Sequence, residues 1–204
     1  MITIALPKGR LGDKVYGKFA AMGYDCPEIT DSSRKLVFEE PAKGVHYLLV
    51  KPSDVGVYVE HGAADIGIVG KDVLMEHSPD VFELLDLDIG KCRICVAAKN
   101  GWEDDTAVPL RVATKYPNVA LAYYESRNRD IEIIKLNGSI ELGPVLGLSD
   151  VIVDIVETGS TLQENDLSVI AEVARSSARL IANKSSYQFS KQEIDRIVQG
   201  FKTL

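Results

Sequence analysis

The chain has 204 residues, 46% hydrophobic and 26% charged, a balance that supports one sizeable or two small packed domains and excludes intrinsic disorder. Its formal net charge of −7 and isoelectric point near 5.0 exclude the broad basic surface of a nonspecific nucleic-acid binder. No apolar run approaches the roughly 20 residues that cross a bilayer, and MITIALPKGR lacks a basic start followed by a long apolar segment, so a cytoplasmic protein without membrane or nucleic-acid partners is expected.

ITIALP, the first apolar run, reads as a strand, and LPKGRL puts Lys8, Gly9 and Arg10 just after it, at the carboxyl end where open α/β sheets hold their ligands. A helix follows with Leu11, Val15 and Phe19 on one face. DSSRKL supplies Arg34 and Lys35 ahead of another strand, and guanidinium groups grip phosphate oxygens in two-pronged fashion. Next come HYLLVK, a helix after Pro52, DIGIVG, a helix from Lys71, and FELLDL. GIVGKD lacks both the spacing of a Walker A loop and the hydroxyl residue after its lysine, which disfavours a P-loop NTPase.

From Cys92 the pattern restarts. CRICVAAK, LRVAT, a helix after Pro117, IEIIKL, a turn at Asn137 and Gly138, a short helix, VIVDIV and another helix form a second set. ARLIANK follows, and Ser190 with Glu193 as its capping-box partner opens a last helix. This alternation predicts an α/β protein of two halves with largely parallel sheets. KNGWEDDTAVP reads as a surface loop within the second half, where Trp102 is either exposed or packed. Cys92 and Cys95 form a C-x-x-C, but within a strand residues three apart point to opposite faces, which favours buried small side chains over a redox or metal pair. His46, His61 and His77 show no metal-ligand spacing.

DVIVDIVETGSTLQENDL is the most informative stretch. Val151–Val156 is an apolar run interrupted once, by Asp154, and Glu157, Thr158, Gly159, Ser160 and Thr161 follow it. Thr161 and Glu164 have the T-x-x-E spacing of a helix start. Strand, small-residue turn and helix N-terminus in that order make a seat for an anion, and a phosphate monoester fits. The plainer alternative is an ordinary β-to-α turn in which Thr161 only caps the helix. Asp154 and Glu157 would repel a phosphate unless they meet another part of the ligand, such as sugar hydroxyls or a bound Mg²⁺. Phosphate, sugar and metal together point to a phosphorylated ribose.

The run Glu141 to Leu162, ELGPVLGLSDVIVDIVETGSTL, resembles the signature of the ATP phosphoribosyltransferases, which carry out the first step of histidine biosynthesis. Glu141, Gly147, Asp154, Thr158, Gly159, Thr161 and Leu162 fill its positions. LPKGRL, HGAADIGIVGKDVL, DIGKCRICVA, VATKYP and LNGSIEL are similar to further segments of that family, so the likeness runs essentially from Met1 to Leu204. Lys51 and Gly56 stand where many relatives carry Arg and Pro; Lys51 keeps the charge but not the two-pronged contact.

The resemblance implies transfer of phosphoribosyl from phosphoribosyl pyrophosphate to N1 of ATP, with Mg²⁺ bound mainly through substrate phosphates. It implies that Asp154, Glu157, Thr158, Gly159, Ser160, Thr161 and Leu162 bind phosphoribosyl pyrophosphate. Lys8, Gly9, Arg10, Arg34, Lys51, Asp88, Thr114 and Glu141 would serve ATP or pyrophosphate, and Arg10, Arg34, Asp154 and Glu157 would take the catalytic roles. The implied fold is the two-lobed, type II periplasmic-binding-protein-like one, each lobe a mixed, mostly parallel sheet flanked by helices. Residues 1–90 with 180–204 would make the first lobe, and 91–179 the second. Because the chain ends soon after its last helix, it resembles the short form, which implies a histidyl-tRNA-synthetase-like regulatory subunit in a hetero-oligomer. A non-catalytic two-lobed solute-binding protein and a salvage-type nucleobase phosphoribosyltransferase are the rival expectations.

Overall fold

β-branched and apolar runs punctuated by Gly, Pro and Asn produce eleven strands in the computed structural model, which describes residues 1–30 and 33–203. In chain order the elements are β1 (Ile2–Pro7), α1 (Arg10–Ala21), β2 (Val37–Glu40), β3 (Val45–Val50), α2 (Val55–Glu60), β4 (Ile66–Gly70), α3 (Lys71–His77), β5 (Phe82–Asp86), β6 (Cys92–Lys99), β7 (Leu110–Thr114) and α4 (Pro117–Glu125). They continue with β8 (Ile131–Lys135), α5 (Leu142–Val145), β9 (Val151–Val156), α6 (Ser160–Glu164), β10 (Leu167–Ser176), β11 (Ala178–Ala182), α7 (Lys184–Phe189) and α8 (Lys191–Thr203). The chain divides into two compact units: Met1–Leu74 with Ser78–Gly90 and Ser177–Leu204, and Met75–His77 with Lys91–Ser176. It rejoins the first unit at Ser177, just before residue 180, because β11 pairs with β4 from Ala178 onward.

The first unit holds a sheet of order β2-β3-β1-β4-β11-β5 and the second a sheet of order β10-β6-β9-β7-β8. Both sheets are mixed, but parallel pairing is confined to β3-β1-β4 and to β9-β7-β8. The expected dominance of parallel pairs is therefore corrected. β2 and β3 follow one another without a crossover helix and pair antiparallel, while β11, entered directly from β10 of the other sheet, runs antiparallel to β4 and β5. The helix expected after Val156 is only the five-residue α6. α6 ends at Glu164, and the segment LSVIAEVARS is instead the ten-residue edge strand β10. Two register shifts against β6, at Val169/Ala171 and Glu172/Ala174, interrupt the period-two pattern that would have marked it in the sequence.

In the first unit Val15 and Phe19 of α1 and Ile194, Ile197 and Phe201 of α8 are buried at helical spacing. Phe19 meets Phe201, Tyr47 and Tyr24 edge-on at centroid separations of 5.0, 6.2 and 6.4 Å, each contact adding about 0.5–1.5 kcal/mol beyond burial alone. This aromatic cluster fixes α8 and α1 to the β3 side of the sheet. The Glu193 side chain expected to cap α8 is instead taken by the Tyr24 hydroxyl and by Arg196.

In the second unit the polar loop after β6 is tied down. Arg129 pairs with both Asp104 carboxylate oxygens at 2.8 and 3.1 Å and donates to the Val108 carbonyl at 2.8 Å, while Trp102 packs against the core. Arg111 of β7 clamps the approach to β9, reaching Asp150 Oδ1 at 2.6 Å and Oδ2 at 3.2 Å and the Gly147 carbonyl at 3.1 Å. The Arg111 hydrogen bonds hold the Asp150 carboxyl below the usual range despite its partial burial. A carboxyl with a lowered folded value stabilises the fold above its unfolded value of about 3.9, and this contribution is lost as pH falls through the folded value. Asp150→Asn should therefore lower the thermal midpoint at pH 7, and the gap to the wild type should close in calorimetric scans below about pH 4.

Candidate active site

β9 is hydrogen-bonded on both sides, antiparallel to β6 and parallel to β7. Its register sets Asp154 opposite Cys95 and Ile152 opposite Ala97, so these four side chains share one face of the sheet. They form the floor of a cavity of about 330 Å³ whose walls include Glu141 and the whole segment from Ile155 to Leu162. Glu141, at the start of α5, comes to this cavity from a different element.

The turn above that floor explains its own composition. Gly159 has φ 84 and ψ 2, the left-handed region, while a Cβ there would meet nothing nearer than Val156 Cγ1 at 3.8 Å. Conformation, not crowding, calls for glycine at this position. Thr158 Oγ1 and Ser160 Oγ lie 3.1 Å apart, and the Ser160 amide points to Thr158 Oγ1 at 3.4 Å. Among the described residues no side chain caps α6, because Gly159 stands at its N-cap. The expected Thr161–Glu164 capping box is thereby corrected: Thr161 lies inside the helix, and its carbonyl accepts from Asn165 at 2.8 Å. The lining thus combines the hydroxyls and first-turn amides of the turn with the carboxylates of Asp154, Glu157 and Glu141. Such a lining suits a ligand with a phosphate at one end and hydroxyls at the other.

Cationic residues gather in the first unit. β1 and β3 run parallel with Pro7 beside Val50, and the Lys8 amide donates to the Val50 carbonyl at 2.8 Å, so Lys8 and Lys51 leave the same end of the sheet. β2 is antiparallel to β3, with the Leu49 amide donating to the Leu36 carbonyl at 2.8 Å. The segment before β2, with Arg34 and Lys35, therefore arrives at that end as well. A cavity of about 380 Å³ lies there, lined by Lys8, Gly9, Asp13, Tyr16 and Lys35 with an apolar wall from Leu6, Ile29 and Leu49. Gly12 seats α1 on β1, since a Cβ at that position would fall 1.8 Å from the Pro7 carbonyl oxygen. Arg10 is exposed at the first position of α1, and Arg34 and Lys51 are exposed too. Asp31 and Ser32 of the DSSRKL segment fall outside the described residues.

The remaining expected residues fare differently. Asp88 is exposed beyond β5, with a left-handed φ of 58 and its amide on Asp86 Oδ1 at 2.9 Å, and it lines neither cavity. Thr114 is fully buried and its hydroxyl is spent inside the sheet, which corrects its expected contact with the nucleotide. Cys95 and Tyr16 were not foreseen. Cys95 reaches the cavity only through the β6–β9 register, which the sequence does not carry. Tyr16 follows Gly12 by four residues and Asp13 by three, a helical spacing that could have placed it on the ligand-facing side of α1.

This geometry can be set beside known proteins. The family model described as HisG, ATP phosphoribosyltransferase, matches residues 51–203. An ATP phosphoribosyltransferase of Brachyspira hyodysenteriae is 61% identical over 203 residues, covering 99% of this chain and 98% of its own, and one of Bacillus cereus is 50% identical over 197 residues, covering 97% and 93%. A solved ATP phosphoribosyl transferase (HisG:HisZ) complex from Thermotoga maritima contains a chain 34% identical to this one, superposing with a TM-score of 0.87 over 100% of this chain and 98% of that one. Sequence and fold thus agree, and the chain belongs to the ATP phosphoribosyltransferase family.

Proposed function

We propose that the cavity of the second unit binds the phosphoribosyl half of phosphoribosyl pyrophosphate and that the cations of the first unit serve the pyrophosphate and ATP. The convergence of Asp154, Glu157 and residues 158–161 on one cavity carries this reading. In the family's reaction the C1–O bond breaks with its electron pair leaving on pyrophosphate, and the lone pair of adenine N1 forms the new bond to C1. The backbone and hydroxyls of Thr158, Gly159, Ser160 and Thr161 hold the 5-phosphate, over a turn whose Leu162 side chain is buried as an anchor. A helix terminus contributes only about 0.3–2 kcal/mol per charge, so the five-residue α6 cannot hold a phosphate unaided. Asp154 and Glu157 read the ribose hydroxyls, and a carboxylate beside C1 stabilises the positive charge that develops as the leaving group departs. Lys8, Arg10, Arg34 and Lys51 neutralise the pyrophosphate. Glu141 shares the cavity wall, and Asp88 receives no role.

Mg²⁺ fits this donor set. Among the described residues no group of three or more His, Cys, Asp or Glu could cage a metal, and Mg²⁺ is ordinarily held by one or two carboxylates together with substrate phosphates. Asp154 and Glu157 are the residues that would hold it, and when bound it supplies charge neutralisation for the phosphates. We further propose a hetero-oligomer with a HisZ-like, histidyl-tRNA-synthetase-like regulatory subunit, supported by the assembly in which the Thermotoga maritima neighbour was solved. A cytoplasmic setting accords with a biosynthetic enzyme, and no described helix is long and apolar enough to cross a membrane. Family membership sets aside the solute-binding and salvage alternatives.

Mixing the chain with ATP, phosphoribosyl pyrophosphate and Mg²⁺, with and without the regulatory subunit, should give a product absorbance distinct from that of ATP only when both substrates are present; its absence with the subunit added would refute the reading. Gly159→Val forces a β-branched residue into a left-handed turn and should raise KM for phosphoribosyl pyrophosphate about tenfold or more while leaving KM for ATP near its original value. Arg10→Ala should lower kcat by about 10²-fold, as expected when a group neutralising transition-state charge is lost. Normal turnover in that variant, measured in steady state with the regulatory subunit present, would remove Arg10 from the leaving-group assignment.

A further inference from the structure

We infer that Thr114 is a positioning residue for Asp154, acting from the opposite face of the sheet through the Val153 carbonyl; the inference rests on the phosphoribosyl reading of the cavity. Thr114 ends β7, and the parallel register sets it beside Val153. On these two strands Ala113 and Ile152 pack on the cavity side, whereas Val112 and Val153 belong to the core of the other side. Thr114 alternates with Ala113, so its side chain stands behind the sheet, fully buried and away from any ligand.

The Thr114 hydroxyl donates to the Val153 carbonyl at 2.6 Å, and its oxygen accepts from the Tyr116 amide at 2.8 Å. Tyr116 is the N-cap residue of α4, so the helix start holds the hydroxyl oxygen and directs its proton toward β9. The accepting carbonyl belongs to the peptide whose N–H is that of Asp154. Fixing this peptide plane fixes the direction in which Asp154 leaves the strand and enters the cavity. The strand's own ladder sets which face Asp154 takes; the hydroxyl sets its tilt. A carboxylate that must meet a ribose gains from this, because a misplacement on the order of 1 Å can cost about 10²-fold in rate.

Thr114→Val keeps the shape and removes both hydrogen bonds; Thr114→Ser keeps both. With the regulatory subunit present, Thr114→Val should lower kcat/KM for phosphoribosyl pyrophosphate about tenfold or more and leave KM for ATP within about twofold, while Thr114→Ser stays near wild type. Val112→Ala, a core deletion in the same strand, should lower the thermal midpoint without moving KM for phosphoribosyl pyrophosphate. If Thr114→Val does not fold, Thr114→Cys replaces it: its thiol is a weaker donor, and its kcat/KM must fall between serine and the tenfold loss. Wild-type kinetics in Thr114→Val, or in Thr114→Cys where it stands in, would overturn the inference, as would equal losses in Thr114→Val and Val112→Ala. A wild-type complex that makes no product from both substrates would instead overturn the cavity reading, and this inference with it.

Discussion

The double pairing of β9 is the constraint on which the second unit depends. A strand bonded to β6 on one side and β7 on the other cannot slip by one residue without sending every side chain to the wrong face. Val151 and Val153 must lie in one core, and Ile152 and Val156 in the other. Asp154, between them in alternation, is thereby aimed into the cavity it shares with Cys95, Ala97 and Ile152. A charged residue in a strand with apolar neighbours is costly to bury; here it stands at an opening, half-buried, so the strand accommodates it and the cavity gains a carboxylate. The turn that follows then needs only one special residue, Gly159, to bring Thr158 and Ser160 together over the same opening.

In the first unit the equivalent constraint is parallel pairing. Lys8 and Lys51 are far apart along the chain, yet β1 and β3 end at the same level because Pro7 and Val50 are partners. The hairpin from β2 to β3 then carries the segment of Arg34 and Lys35 to that level from the opposite chain direction. This concentrates cations locally in a protein whose overall charge is −7, which an anionic substrate requires and a basic composition would not by itself provide. The close seat of α1 on β1 depends on Gly12, where any side chain would collide with the Pro7 carbonyl.

Ionic clamps hold the irregular segments of the second unit. Arg129 fixes the loop containing Asp104 and Trp102, and Arg111 fixes the turn from Gly147 to Asp150 that feeds β9. Both arginines spend donors on backbone carbonyls as well as carboxylates. Loops that would otherwise carry unsatisfied backbone are thus made part of the scaffold. The aromatic cluster around Phe19 does comparable work in the first unit, tying α8 to elements more than a hundred residues earlier.

Periodicity and turn chemistry in the sequence determined the α/β class, most strands and helices, the glycine-centred turn at residues 157–161, and the placing of Lys8 and Arg10 after a strand. These are local properties: apolar alternation, Pro and Gly punctuation, and short hydroxyl-rich loops act within a few residues. The identity of β10 was hidden, because its two bulges break the alternation that marks a strand. A T-x-x-E spacing suggested a cap at Thr161, but the left-handed Gly159 starts α6 earlier and takes that place. Only the tertiary structure decided which residues share the cavity with Asp154, that Cys95 lies on its floor, and that Thr114 is spent inside the sheet instead of touching ligand. Each of these follows from the register between strands distant in sequence, and register is fixed by pairing and packing between whole elements, not by the residues of any one of them.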